Sequence, residues 1–150
     1  SEFGTHAIVG HSERRKYFHE SDDDIIAKIQ RSIENNITPI LCVSAIKQLE
    51  YYLKKGKVIM ESASQIIFVY EPPSAISGGG AFRPENPETA DMNAAAISKA
   101  IGTKVTTLYG GSINPDNGSS FFSCENIDGG LIGQASLDPK TFLRIIQAAA

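Results

Sequence analysis

One acidic residue, Glu71, stands at the end of a short apolar stretch, residues 66–69, with Tyr70 between them. Four apolar residues in a row, without polar alternation, are typical of a strand that is covered on both faces in a parallel sheet. A carboxylate at the C-terminal end of such a buried strand is desolvated. Desolvation disfavours its ionised form and increases its affinity for a proton. The pattern predicts a general base, although an ordinary strand-to-helix connection with Glu71 facing water has the same pattern.

The residues that follow Glu71 predict a lid. A pair of prolines, residues 72–73, stiffens the exit from the strand, and an apolar pair, residues 75–76, forms a small tip. Ser77 and three glycines, residues 78–80, then supply a flexible end. The same glycines are equally compatible with a floppy loop that has no such role.

A histidine, His11, follows the first predicted strand and precedes a short helical turn that begins at Ser12. Backbone N–H groups at the start of this turn would face the imidazole, lower its pKa and keep it neutral. A neutral imidazole could then donate a hydrogen bond to a carbonyl oxygen. An isolated histidine near a strand end more often has a structural hydrogen-bonding role. His11 is a candidate site residue only because the helical turn that begins at Ser12 follows it.

Two glycine-containing turns are candidates for an anion site. Gly110, Gly111 and Ser112 follow the fourth predicted strand, and Gly133 and Gln134 follow the fifth. Exposed N–H groups in such turns can hold a phosphate, particularly where a helix begins behind them. Each turn by itself is equally compatible with a simple change of chain direction.

Two charged runs are expected to be structural. Arg14 and Arg15 could grip a phosphate, but arginines beside an acidic residue such as Glu13 more often form ion pairs within the fold. The acidic run at residues 22–24 is expected to be the solvated first turn of a helix. Neither run is assigned to the candidate site.

The elements that must position these residues alternate between strand and helix. The predicted strands are residues 7–9, 38–43, 66–69, 104–109 and 127–132. The predicted helices begin at Ser12, after Ser21, near Leu49, after Asn86, after Asn114 and at Asp138. The connections are too long for hairpins, so the strands should be parallel with right-handed crossovers. This order predicts an α/β protein whose strand ends bring the candidate residues to one edge.

Apolar spacing predicts which helix faces are buried. After the N-cap Ser21, isoleucines at positions 25, 26, 29 and 33 fall on one face. In the helix after Asn86, with Pro87 first and Gly102 at the end, the predicted buried residues are Met92, Ala95, Ala96, Ala100 and Ile101.

Composition narrows the class of protein. The chain has 150 residues, which suits one domain over residues 6–150, with residues 1–5 expected to be a cloning remnant or the start of the first strand. Apolar residues make up 41%, and no apolar run approaches the about 18 residues of a membrane span. The net charge of -3 gives no basic field for nucleic acid.

The cysteine count argues against a disulfide framework and against a metal centre. Two cysteines, Cys42 and Cys124, are too few for either, so we expect reduced structural thiols, no metal and no cofactor. No signal peptide pattern opens the chain, and a cytoplasmic location is expected.

Six motifs in register resemble the triosephosphate isomerase family, from about residue 6 to the end of the chain. They are Gly10-His11-Ser12-Glu13-Arg14-Arg15, Phe18-His19-Glu20-Ser21-Asp22, Pro39-Ile40-Leu41-Cys42-Val43, Tyr70-Glu71-Pro72, Tyr109-Gly110-Gly111-Ser112 and Asp128-Gly129-Gly130-Leu131-Ile132-Gly133.

The resemblance implies a fold and a reaction. The family fold is an eight-stranded barrel, and this chain matches strands four to eight, so a partial (β/α)8 barrel of about five parallel βα units is expected. By the same resemblance, Glu71 is the base and His11 the neutral electrophile that interconvert dihydroxyacetone phosphate and glyceraldehyde 3-phosphate through an enediolate, a step of glycolysis and gluconeogenesis.

The resemblance also assigns binding roles. Ser77, Ser112, Gly133 and Gln134 would bind the phosphate, and Tyr109, together with Ser112, would latch the lid. Closure of the lid would keep water from the intermediate. A different phosphate-binding βα barrel is a weaker alternative.

The chain departs from the family pattern in ways that put activity in doubt. By this resemblance the chain would lack the family's first three strands, and with them its Lys and the neighbouring Asn; losing one such donor typically lowers the rate on the order of a hundred- to a thousandfold. Glu13, which resembles the partner of that Lys, would be unpaired. Several other positions also depart from the usual family residue: Ser44, Ala45, Ser74, Ser77, Gly78 and Gln134.

Five strands cannot close a barrel that eight strands close. The first and fifth strands should therefore be open edges, and interior residues such as Ile67 and Val69 should be exposed. We expect a homo-oligomer that forms through these edges. The alternative to an enzyme is a catalytically silent barrel fragment that acts as a self-associating structural module.

Overall fold

The computed structural model describes residues 4–76 and 82–150, in which helices and parallel strands alternate. The strands are β1 (His6–Val9), β2 (Thr38–Val43), β3 (Ile67–Tyr70), β4 (Thr107–Tyr109) and β5 (Gly129–Gly130). The helices are α1 (Ser12–Phe18), α2 (Asp22–Glu34), α3 (Ile46–Lys55), α4 (Lys57–Glu61), α5 (Pro87–Ile101), α6 (Gly118–Phe122) and α7 (Pro139–Ala148). Short 3₁₀ turns span Ala63–Gln65, Pro73–Ala75 and Gln134–Ser136.

The five strands form one parallel sheet in the order β1-β2-β3-β4-β5. Ile8 pairs with Ile40 between β1 and β2, and Tyr70 pairs with Tyr109 between β3 and β4. Within the described residues β1 and β5 do not pair with each other, so the sheet is open. The prediction of an α/β protein with five parallel strands in a partial barrel is confirmed.

The main core lies between one face of the sheet and the helices. Leu41 and Val43 of β2 and Phe68 of β3 are fully buried, at every second position of their strands. Ile25 and Ile29 of α2 are buried against the same cluster. The remaining two isoleucines of the predicted α2 face, at positions 26 and 33, are partly buried beside it, so that prediction is confirmed.

The predicted buried face of α5 is wrong except at Ile101, since Met92 is exposed and the alanines at positions 95, 96 and 100 are only half-buried. Met92 of α5 is 65% exposed, whereas the buried residues are Ala90, Ala94, Ile97 and Ile101. These four recur at spacings of about four and three residues, which follows one side of a helix. Met92, two positions after Ala90, is rotated by about 200° from that side.

The last two strands are shorter than predicted, and in β4 side chains bind the backbone at the start of the strand. Before β4, the backbone N–H of Val105 donates to Ser98 Oγ at 3.2 Å. At the start of β4, the N–H of Thr107 donates to Asp128 Oδ2 at 2.8 Å. Strand β5 is reduced to the glycine pair 129–130. These bonds replace ladder bonds that periodicity alone would assign.

The short helix α6 begins later than its predicted cap. Asn114 Oδ1 accepts hydrogen bonds from the N–H groups of Asp116 and Asn117, at 2.9 and 3.0 Å, which forms a turn of its own. The helix then starts at Gly118, with Asn117 as its N-cap residue.

The expected exposure of the sheet interior is wrong for Val69. Val69 is fully buried, while Ile67 is half-buried. Val69 pairs with Cys42 on one side and Leu108 on the other. A β-carbon on Gly110 would lie 2.6 Å from Val69 Cγ1, so the absence of a side chain at Gly110 lets the chain after β4 cover Val69.

The α2 N-terminus generates a stability prediction. Ser21 Oγ accepts from the N–H of Asp24 at 3.2 Å, and Asp24 Oδ2 accepts from the N–H of Ser21 at 2.9 Å. Ser21→Ala removes half of this capping box and should lower the free energy of unfolding by about 1 kcal/mol in urea titrations. The matched control is Ser64→Ala, at an exposed position of a 3₁₀ turn, which should leave it unchanged. Equal stability of the two variants would contradict the prediction.

Candidate active site

The C-terminal ends of the parallel strands surround one cavity of about 520 Å³. Of the residues predicted for the site, those that line it are His11, Glu71, Ser112, Gly133 and Gln134. Tyr109 is fully buried beneath the cavity wall and is not part of its lining. Ser77 lies outside the described residues. The cavity therefore brings a carboxylate, an imidazole and two glycine turns within reach of one small molecule.

The Glu71 carboxylate is held by the first residues of α1. Glu71 is only 1% exposed, and its Oε1 lies 2.7 Å from His11 Nε2. Its Oε2 accepts the backbone N–H of Ser12 at 3.1 Å, and Oε1 also accepts Ser12 Oγ at 3.3 Å. A buried carboxylate is stable only when such donors replace water. Sequence reasoning used Ser12 only as a helix start and missed this contact.

The hydrogen bonds of His11 assign its tautomer. The backbone N–H of Glu13 donates to His11 Nδ1 at 3.3 Å, so Nδ1 is an acceptor. The neutral ring then carries its proton on Nε2, the atom that faces Glu71. This is the predicted orientation of α1 N–H groups toward the imidazole.

The predicted lowering of the His11 pKa is wrong. The hydrogen bond to Glu71 raises the pKa of His11 above 6.5, burial opposes this shift, and the charges of Glu71 and Glu13 add to it. The physical reason is distance: a carboxylate in direct contact with the ring stabilises the imidazolium more than a single helical turn destabilises it.

Ser112 forms hydrogen bonds with the segment that follows Glu71. Its backbone N–H and its Oγ both donate to the carbonyl oxygen of Ala75, at 2.9 and 2.7 Å. The preceding glycine is required by close approach, since a β-carbon on Gly111 would lie 2.2 Å from Tyr109 Oη. The turn is therefore built into the packing around Tyr109 and Ala75.

Tyr109 and Ser112 contact the chain on the two sides of residues 77–81, which include the end of the predicted lid. Ser112 bonds Ala75 before the undescribed residues 77–81, and Tyr109 Oη accepts the backbone N–H of Glu85 after them, at 3.1 Å. The contact between Tyr109 and Glu85 was not predicted, and no spacing pattern in the sequence indicates it.

Gly133 and Gln134 also line the cavity and follow β5 in the chain. Gln134 opens the 3₁₀ turn Gln134–Ser136, which is closed by a bond from the N–H of Ser136 to the carbonyl of Gly133 at 2.9 Å. Within the part of the chain that the structure describes, the N–H groups of Gly133 and Gln134 donate to no protein acceptor. They are available to an anion in the cavity.

The arginines next to the site form ion pairs, as predicted. Arg14 pairs with Glu20, and Arg15 pairs with Asp22 at 2.8 Å. Asp22 is therefore more than a solvated helix start, which corrects the prediction for that residue. Because both arginines are engaged, neither extends into the cavity.

The charge of the cavity lining is negative. Glu13 and Glu71 line it, and His11 is the only titratable base among the described lining residues. In the described parts of the chain Glu13 has no ion-pair partner. An anion in this cavity must be held by main-chain N–H groups rather than by a fixed cation.

Over residues 4–76 and 82–150, no helix is long and apolar enough to cross a membrane. Over the same ranges, no group of three or more His, Cys, Asp and Glu side chains could hold a metal ion.

The contact between His11 and Glu71 generates a pH prediction. We expect the pKa of His11, followed by NMR of its ring, to lie above 6.5. Because the folded value is raised, the contact contributes fully to stability below 6.5, and its contribution is lost as pH rises through the folded pKa. Glu71→Gln should bring the pKa back down, whereas Glu50→Gln, at an exposed position on α3, should not. A His11 pKa that is insensitive to Glu71→Gln would refute this account.

Comparison with known proteins identifies the family. The triosephosphate isomerase family model matches residues 2–149. The chain is 36% identical to the triosephosphate isomerase of Alkalilimnicola ehrlichii, over 96% of the chain and 64% of the relative. It is 38% identical to that of Ralstonia nicotianae, over 99% of the chain and 66% of the relative. The chain thus spans slightly less than two thirds of the length of these relatives. Together with the open parallel sheet, these matches show that the chain belongs to the triosephosphate isomerase family.

Proposed function

We propose that the cavity binds a triose phosphate and interconverts dihydroxyacetone phosphate and glyceraldehyde 3-phosphate. The observation that carries the proposal is the 2.7 Å contact between His11 Nε2 and Glu71 Oε1 in a cavity that is also lined by Gly133 and Gln134, whose N–H groups donate to no acceptor in the described residues. A base, a hydrogen-bond donor and an anion cradle are the three groups that the reaction requires.

The proposed reaction is a proton transfer between adjacent carbons. Glu71 takes a proton from the carbon next to the substrate carbonyl, and the C–H electron pair moves to form the enediolate. His11 Nε2 donates its hydrogen bond to the oxygen on which negative charge develops. Glu71 then returns the proton to the neighbouring carbon. His11 Nε2 gives its proton to the former carbonyl oxygen and takes the proton of the neighbouring hydroxyl, so that the carbonyl and hydroxyl groups exchange places, and no cofactor is involved.

Substrate binding must rearrange the resting contacts of Glu71. In this structure both of its carboxylate oxygens accept hydrogen bonds from His11 and Ser12. A substrate carbonyl that enters between Glu71 and His11 would take over the bond from Nε2. This exchange would free Glu71 Oε1 to act as a base, while the pKa of His11 would no longer be raised by the direct bond.

The substrate phosphate is proposed to bind at the turn formed by Gly133 and Gln134. Gly133 and Gln134 have free N–H groups there, and Ser112 could contribute its N–H if it released the Ala75 carbonyl. Ser77 is proposed as a further N–H donor on the family pattern alone, because it lies outside the described residues. Tyr109 and Ser112 are proposed to latch the segment between Ala75 and Glu85 over the bound substrate.

The activity of this chain by itself is proposed to be low. No Lys or Arg is among the described residues that line the cavity, and Glu13 lies there without a cationic partner. Loss of one preorganised donor lowers a rate by on the order of a hundred- to a thousandfold. Measured turnover should therefore be weak even if binding is intact.

We propose a cytoplasmic location and a role in glycolysis and gluconeogenesis. Cys42 and Cys124 are free thiols, and Cys42 is buried. Burial raises the pKa of the Cys42 thiol, which makes it a structural and unreactive residue. Two unpaired cysteines fit a reducing compartment.

An activity assay tests the proposed reaction. Isomerisation of glyceraldehyde 3-phosphate by this chain should fall by about a hundredfold or more in Glu71→Gln, because the base is removed. Glu61→Gln, a matched change at an exposed position of α4, should retain activity. Activity that survives Glu71→Gln would contradict the proposal. Absence of activity at high protein concentration would favour the structural module instead.

The second candidate function, a self-associating structural module, is favoured by the open sheet. Apolar side chains remain exposed near both edges: Ile8 of β1 is 51% exposed, and Leu143 and Ile146 of α7 are 54% and 51% exposed. An open strand edge beside apolar side chains is a surface on which another chain can pair. We propose a homo-oligomer formed through these edges.

Light scattering tests the proposed association. The average mass should rise with protein concentration, and Leu143→Lys should shift this rise to higher concentration because it places a charge on the apolar surface of α7. Met92→Lys is the control, since Met92 is 65% exposed on the outer side of α5. A compact monomer at every concentration would refute the module.

A further inference from the structure

Glu85 links the ends of two neighbouring strands through its side chain and its backbone. Its Oε1 accepts a hydrogen bond from the hydroxyl of Tyr70 at 3.3 Å. Its backbone N–H donates to the hydroxyl of Tyr109 at 3.1 Å. Tyr70 is the last residue of β3 and Tyr109 is the last residue of β4. One residue, just before α5, therefore binds the final side chain of each strand.

The two tyrosines are themselves coupled. They are register partners, their ring centroids are 6.5 Å apart, and the N–H of Gly110 donates to the carbonyl of Tyr70 at 2.8 Å. Tyr109 also stacks on Phe121, with centroids 4.2 Å apart. Burial raises the pKa of both Tyr70 and Tyr109 to about 12, so both hydroxyls keep their protons at neutral pH.

Each tyrosine immediately precedes a residue of the proposed site. Tyr70 precedes Glu71, and Tyr109 precedes the turn Gly110, Gly111 and Ser112. One peptide bond joins Tyr70 to the proposed base and Tyr109 to the turn, so a shift of either tyrosine would also shift the site residue that follows it. Glu85 itself is not among the described residues that line the cavity, and its hydrogen bonds to Tyr70 and Tyr109 connect it to residues next to the site.

The burial of the Glu85 carboxyl group is energetically unfavourable. Its second oxygen, Oε2, is buried and has no hydrogen-bond partner in the described part of the chain. Burial raises the pKa of Glu85, and the bond from Tyr70 only partly opposes this shift. A buried carboxyl oxygen without a partner destabilises the fold, so hydrophobic packing does not explain an acidic residue here.

We propose that Glu85 is a positioning residue that holds the ends of β3 and β4 together, so that Glu71 and the turn from Gly110 to Ser112 face the same cavity. This inference rests on the proposed function and deepens it. It differs from a purely structural role, because it predicts changes at the site that do not follow the change in stability.

Three variants separate these roles. Glu85→Leu keeps approximate volume but removes the acceptor, Glu85→Gln keeps an oxygen that can accept from Tyr70, and Tyr70→Phe removes the donor. Glu88→Leu, at an exposed position in the first turn of α5, is the matched control. For each, the experiment measures the affinity for 2-phosphoglycolate, the thermal midpoint, and the ¹H–¹⁵N shifts of the amides at positions 110–112.

Glu85→Leu should weaken 2-phosphoglycolate binding by roughly ten- to a hundredfold, because the base and the anion turn lose their relative position. The amide shifts at positions 110–112 should move in the same variant. Glu85→Gln should restore both readouts toward the wild type, and Glu88→Leu should change neither. Adding Tyr70→Phe to Glu85→Leu should weaken binding no further, because both changes remove one contact.

Two outcomes overturn the inference. The first is unchanged amide shifts at positions 110–112 in Glu85→Leu, and the second is a loss of binding that Glu85→Gln fails to rescue although its thermal midpoint equals that of the wild type. If the wild type does not bind 2-phosphoglycolate, the proposed function fails, while the amide shifts still decide whether Glu85 positions the turn.

Discussion

The parallel direction of β1, β2 and β3 is the constraint on which the candidate site depends. His11 and Glu71 are 60 positions apart in the chain, yet they are in contact because both follow strands that end at the same edge of the sheet. Strand β2 lies between β1 and β3, so the contact spans two strand spacings and uses the start of α1 to reach Glu71. An antiparallel pairing of these strands would place the carboxylate and the imidazole at opposite edges.

The charges around the cavity limit how the site could bind an anion. Two carboxylates, Glu13 and Glu71, line the cavity, and the positive side chains of Arg14 and Arg15 are directed into ion pairs with Glu20 and Asp22. Anion binding is therefore left to the main-chain dipoles of the turns after β4 and β5. Such dipoles carry only partial charges, which is why the lack of Lys and Arg among the described lining residues matters for the proposed activity.

Local chemistry made several elements predictable. Ser21 and Asp24 cap α2, Asn86 and Pro87 open α5, and Gly102 ends it with a positive φ of 87°. In each case the signal and the structure it produces lie within one helical turn. Strand β4 was less predictable, because Ser98 and Asp128 bind backbone N–H groups before and at its start, where regular strand pairing was expected. The exposure of Met92 was also not predictable from local spacing, because it depends on which side of α5 packs against the rest of the fold.

The sequence by itself determined the alternation of strands and helices, the helix caps, and the candidate roles of Glu71, His11 and the glycine turns, because these follow from residue type and short-range spacing. Only the tertiary structure decided which groups bind Glu71, the upward shift of the His11 pKa, the burial of Val69, and the contacts of Glu85 with Tyr70 and Tyr109. The physical reason is that hydrogen bonding, desolvation and Coulomb energy depend on distances between groups far apart in the chain, and those distances exist only once the strands have paired.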